Sequence, residues 1–145
     1  MVNKWIFPLN KKLSNEKEEQ LKLNLYSQLK DWNAHGEPIK FSLQIDYHQV
    51  LVIEAFTETS GCSIDILRKK VEEVLAQHQL EILPNHYVLY LKENELRYFD
   101  FRKIQELLKE NQIDMDTTII DTQKILAGET SYLSILRDTW LIRYC

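Results

Sequence analysis

Hydrophobic and polar positions along the chain alternate with two different periods, and the changes of period mark the elements. Lys4 to Leu9 reads as a short strand that Pro8 ends or places at a sheet edge. From Ser14 to Trp32 the apolar residues Leu21, Leu25, Leu29 and Trp32 recur on one stripe of an amphipathic helix, with Leu23 and Tyr26 widening it. Ser14 or Asn15 suits the N-cap, with Glu18 available to close a capping box, and Gly36 and Pro38 stop the helix. Ile39 to Tyr47 switches to strict alternation, with Phe41, Leu43, Ile45 and Tyr47 on one face. Val50 to Phe56 is a second strand, and the short link around His48-Gln49 makes the pair an antiparallel hairpin. Placing Glu54 on the polar face with Gln44 predicts Ile53 opposite Ile45 and Ala55 opposite Leu43.

Ser63 is the expected cap of a second helix, Ile64 to His78, with Ile64, Leu67, Val71, Val74 and Leu75 as its buried stripe. After the break at Pro84-Asn85, Tyr87–Leu91 and Leu96–Phe99 read as a second hairpin, followed by a helix near Phe101–Glu110 with Ile104, Leu107 and Leu108 inward. The last third is less regular: Thr117–Asp121 extended, Thr122–Ala127 helical and Trp140–Tyr144 a closing strand. The sum is an α+β chain, a mostly antiparallel sheet built from two hairpins with helices packed on one face, in a single domain over residues 1–145.

Composition narrows the function classes. Apolar residues make up 44% of the 145, enough for a core, and no run approaches the ~18 apolar residues of a membrane span. The start of the chain carries no secretion signal, so cytoplasmic localisation and two reduced thiols, Cys62 and Cys145, are expected. A net charge of −4 argues against nucleic acid as a partner. The three glycines, Gly36, Gly61 and Gly128, exclude dinucleotide and phosphate-loop motifs and the glycine-framed serine elbow of hydrolases. His35, His48, His78 and His86 are scattered, so neither a metal nor another cofactor is expected. Asp114 and Asp116 read as turn chemistry in a solvated loop, and Trp5, Trp32 and Trp140 as core or rim aromatics, Trp140 beside solvated Arg137 and Arg143.

One stretch stands out, Thr57 to Asp65, where the second strand gives way to the second helix. Thr59, Ser60, Gly61, Cys62 and Ser63 place small hydroxyls and backbone N–H groups at a helix start, where an anion can bind and a thiolate is favoured. An ordinary strand-to-helix turn, with Gly61 at positive φ, fits the same residues. Asp65 opposes thiolate formation, and the match of Cys62 and Arg68 to a C-x5-R phosphatase pattern is spoiled by the helical character of the residues between. The hairpin register, extended to its open end, brings Gly36 toward Cys62, so His35 is a candidate partner for the thiol.

The blocks Asp31-Trp32-Asn33-Ala34-His35-Gly36 and Ser60-Gly61-Cys62-Ser63-Ile64-Asp65 resemble a family of small bacterial proteins that carry the label "ABC transporter ATPase". The label conflicts with the residues, since nothing here forms a nucleotide-triphosphate site. The resemblance implies a small bacterial cytoplasmic protein and carries over no catalytic residue. Three readings of function follow from the whole sequence. The first is a non-enzymatic binding or protein-interaction domain, self-associating or with a protein partner, the second a small anion- or ligand-binding protein, and the third a cysteine-dependent enzyme or thiol sensor using Cys62 with His35.

Overall fold

The computed structural model describes residues 3–126 and 131–145. Its helices and antiparallel sheets make the α+β class plain. The chain divides into two compact units, Met1–Leu83 and Pro84–Cys145, each with its own apolar cluster, and the break read at Pro84-Asn85 lies at the boundary. The two hairpins therefore belong to two different sheets.

In the first unit β1 (Asn3–Pro8) and β4 (Phe41–Asp46) flank β5 (Val50–Ala55) in the order β1-β5-β4. The alternation of β4 is as read, but the register is not: Leu43 pairs with Ile53 and Ile45 with Leu51. A shift of two keeps every side chain on its face, so the polar-face criterion could not detect it. Turn chemistry decides it. The expected register would have left Gln49 alone to reverse the chain, whereas Asp46 pairs with Val50 around Tyr47, His48 and Gln49, with Tyr47 and His48 in the left-handed region. The buried Gln49 side chain donates to the Leu9 carbonyl at 2.9 Å and fastens this turn to the end of β1.

α1 (Asn15–Leu29) is capped by Ser14, whose hydroxyl accepts from Lys17 N at 3.2 Å. Leu21, Leu25 and Leu29 are fully buried, each burial supplying about 1.5–3 kcal/mol. Leu23 is 69% exposed and lies off the stripe it was expected to widen, while the half-exposed Tyr26 keeps its ring on Phe41 at 5.6 Å. The helix stops at Lys30, and Gly36 takes no part in its cap. Instead His35 and Gly36, both at positive φ, turn a two-residue hairpin between β2 (Asn33–Ala34) and β3 (Glu37–Pro38).

α2 (Gly61–Gln77) begins earlier than read. Ser60 is the cap and Ser63 the third helical residue, the two closing a capping box. The buried stripe is Ser63, Leu67, Val71, Val74 and Leu75, with Ile64 only partly covered.

In the second unit the sheet order is β7-β6-β8-β9, with β6 Tyr87–Lys92, β7 Glu95–Asp100, β8 Thr118–Ile120 and β9 Leu133–Ile135. The β6–β7 turn is at Glu93-Asn94, between the two stretches read as strands, both residues at positive φ. A 3-10 turn, Phe101–Lys103, leads into α3 (Ile104–Lys109), and α4 covers Thr122–Leu126; Ala127 and Gly128 lie outside the described residues. Trp140–Tyr144 is a 3-10 helix and not a strand, and the sheet is closed by β9, which the sequence reading missed. Trp140 and Tyr144 wrap edge-on around Phe101, at 5.7 and 5.2 Å, and meet each other at 5.8 Å, whereas a strand would set two residues four apart about 13 Å from each other.

Candidate functional site

The strand-to-helix passage after β5 is fixed at both ends. Phe56 N donates to Lys40 O at 2.8 Å, and Lys40 N donates to the Thr57 hydroxyl at 3.1 Å, which continues the β4–β5 ladder past its last rung. The Thr59 hydroxyl accepts from Asn3 Nδ2 at 2.8 Å, tying the passage to β1. Thr59 is thus a structural tie, and it does not line the cleft described next.

Ser60 and Ser63 consume most of their own hydrogen-bonding capacity. The Ser60 hydroxyl accepts from Ser63 N at 3.1 Å; the Ser63 hydroxyl accepts from Ser60 N at 2.7 Å and donates to Ser60 O at 2.8 Å. What remains at the helix start are the amides of Gly61 and Cys62, which as first and second helical residues have no intrahelical acceptor. Gly61 does not adopt the positive φ expected of it, and a Cβ placed there would meet open space. Its small size keeps the backbone accessible instead of relieving strain.

The β2–β3 hairpin comes to this helix start by way of one buried side chain. Trp32, 2% exposed, packs edge-on against Trp5 at 5.8 Å and Phe41 at 5.7 Å. Its indole Nε1 donates to the Ser63 carbonyl at 2.8 Å. This bond joins the end of the α1 segment to the first turn of α2 through the core. With Trp32 pinned, Asn33 and His35 reach one wall of a half-open cleft of about 590 Å³, and Ser60, Gly61, Cys62, Ser63 and Ile66 form the other.

The structure therefore brings together His35, Ser60, Gly61, Cys62 and Ser63. The route differs from the one expected, since it runs through the tight His35-Gly36 turn and Trp32, and not through an extended β4–β5 register. Asn33 and Ile66 were missed. Asn33 sits in the same Asp31–Gly36 block as His35, and Ile66 follows Cys62 by one helical turn, so spacing alone could have nominated both. Cys62 is exposed and forms no disulfide, and Arg68 stands on the same continuous helix, which rules out a phosphate-cradling loop between them. Cys145 is exposed as well, its sulfur donating to Leu141 O at 3.5 Å, and partial burial pushes its thiol up.

Outside the cleft, Asp114 accepts from Asp116 N at 2.8 Å, as a turn aspartate does, and Asp116 pairs with Arg137. Among the described residues there is no group of His, Cys, Asp and Glu that could hold a metal ion, and no helix long and apolar enough to cross a membrane. No family model matches the chain, and neither does any curated protein or solved structure with which it was compared.

Proposed function

We propose that this chain is a non-enzymatic binding domain whose recognition surface is the cleft between the His35-Gly36 turn and the first turn of α2. The observation that carries the reading is the convergence of two separate segments on one cleft, held by the buried Trp32–Ser63 bond. The donors offered there are two amides at the positive end of a helix dipole, with His35 and Asn33, whose Nδ2 already gives one hydrogen to Asp31 O at 3.0 Å, opposite. Such a set suits a small anion or the carboxylate or phosphate end of a larger ligand, with Ile66 beside its apolar part. A cytoplasmic setting, in which Cys62 stays reduced, belongs to the same proposal.

A second reading, a thiol sensor or cysteine-dependent enzyme, is favoured by one observation: exposed Cys62 lines the same cleft as His35. One experiment separates the two. Cys62 is alkylated across a range of pH in a Cys145→Ser background, with and without inorganic phosphate, and with His35→Ala alongside. Protection of Cys62 by phosphate, with a labelling rate indifferent to His35→Ala, supports the binding domain. Fast labelling at neutral pH that His35→Ala abolishes supports the thiol reading. Labelling indifferent to both additions sinks the cleft as a site.

A further inference from the structure

β4 lies at the edge of its sheet, with β5 on one side only. In an antiparallel ladder alternate residues turn their backbone groups away from the neighbouring strand. Lys40 O accepts from Phe56 N, so Lys40 belongs to the set facing β5, and Leu43 N donates elsewhere, to the Tyr26 hydroxyl at 3.3 Å. Phe41, Leu43 and Ile45 are therefore the outward residues. An outward row of this kind is a template for a further strand.

The sequence of the edge specifies which strand. Lys40 to Asp46 laid antiparallel against a copy of itself about Leu43 sets Leu43 on Leu43, Phe41 on Ile45 and Ser42 on Gln44. It also sets each Lys40 against Asp46 of the second copy. Apolar residues meet apolar, polar meet polar, and both ends of the pairing match opposite charges. The other long edges lack this. β1 ends in Pro8, which has no N–H to offer. The two-residue turn of the β6–β7 hairpin leaves Leu96, Tyr98 and Asp100 outward on β7. Pairing β7 with itself about Tyr98 would set Leu96 on Asp100, and about Arg97 would set like charges face to face.

We propose that β4 is a self-association edge, through which two copies join antiparallel about Leu43 into one continuous sheet. Tyr26 guards it: its hydroxyl holds the central Leu43 N–H by a long bond and must release it for the second copy's Leu43 carbonyl. The ring is 43% exposed and stacked on Phe41, so it can move aside without unpacking the core.

Sedimentation equilibrium up to millimolar protein tests this on the full chain, with a melting curve for every variant. The expected result is a monomer–dimer equilibrium that Lys40→Glu weakens by about tenfold, because two like-charge pairs replace two opposite ones. Adding Asp46→Lys to that variant restores it, and Tyr26→Phe tightens it by removing the competing acceptor. A chain that stays monomeric throughout, or a dimer indifferent to Lys40→Glu at this exposed site, overturns the proposal.

Discussion

The two long helices of the first unit start in opposite chemical surroundings. α1 follows a serine cap with Glu16 and Glu18 in its first turn, so the positive end of its dipole is answered by its own carboxylates. α2 also follows a serine cap, but its first turn is Gly61, Cys62, Ser63 and Ile64, with no charge of its own. The ties that hold the two starts differ in the same sense. Glu18 meets His48 Nδ1 at 2.7 Å on the surface, whereas the Ser63 carbonyl receives Trp32 from inside the core. The first helix start is answered in its charge by its own first turn; the second is held from behind and left open in front. A helix start that is buried in its support and unanswered in its charge is the arrangement a binding site needs.

Breaking the support should have the largest effect. Trp32→Ala removes a fully packed aromatic and the bond to Ser63, and is expected to cost about 3–5 kcal/mol in urea unfolding followed by circular dichroism. His48→Ala, the corresponding cut at α1, should cost no more than about 1 kcal/mol, since the imidazole of that pair is largely exposed and its removal leaves no cavity. Similar costs for the two would mean that Trp32 is not the element holding the hairpin to α2.

A sharper intervention makes α2 resemble α1. Gly61→Asp supplies the missing carboxylate at a position where a side chain meets open space. The helix start then gains about 0.3–1 kcal/mol from the dipole. Phosphate protection of Cys62 should vanish in the same variant, because the new carboxylate answers the amides. Stability and binding moving in opposite directions is the signature expected. If phosphate still protects Cys62 in Gly61→Asp, the helix start is not the anion-binding element.

The contrast between the two helices was half legible in the sequence. The stripe of Leu21, Leu25 and Leu29 and the Ser14 cap follow from period and cap chemistry within one helix, and both are observed. The α2 cap was misplaced by three residues because Ser60 and Ser63 are both good caps, and only the reciprocal bonding of the box shows which one leads. The His35-Gly36 turn was read as the end of a helix, since a histidine with a glycine serves either purpose until β2 and β3 are seen to pair. That His35 and Cys62 line one cleft does not follow from the expected register, which is two residues off. The indole bond of Trp32, which holds the two walls, is a long-range contact that no local pattern encodes. In the second unit the aromatic packing of Phe101, Trp140 and Tyr144 overrode the strand propensity of the last residues for the same reason.

A third helix start extends the comparison and gives the smallest expected effect. Asp100 caps the 3-10 turn Phe101–Lys103, its carboxylate accepting from Arg102 N at 3.0 Å and from Arg102 Nε at 2.9 Å. The Arg102 guanidinium beside it holds the Asp100 carboxyl well below the usual carboxylate range, outweighing partial burial, and His86 adds to the pull. Here a charged cap answers the backbone where Ser60 leaves it open. A carboxyl whose folded pKa is depressed contributes stability above its unfolded value, about 3.9, and loses it as pH falls toward the folded value. The wild-type chain should therefore lose this contribution below about pH 4, and Asp100→Asn, which never had it, should show a shallower decline there. Melting curves of the two proteins from pH 7 to pH 2 should converge as acid is added. Parallel curves across that range would show that the Asp100–Arg102 pair persists equally in the unfolded chain, an outcome open to residues only two apart, and would leave the charged cap with no share in the folding of the second unit.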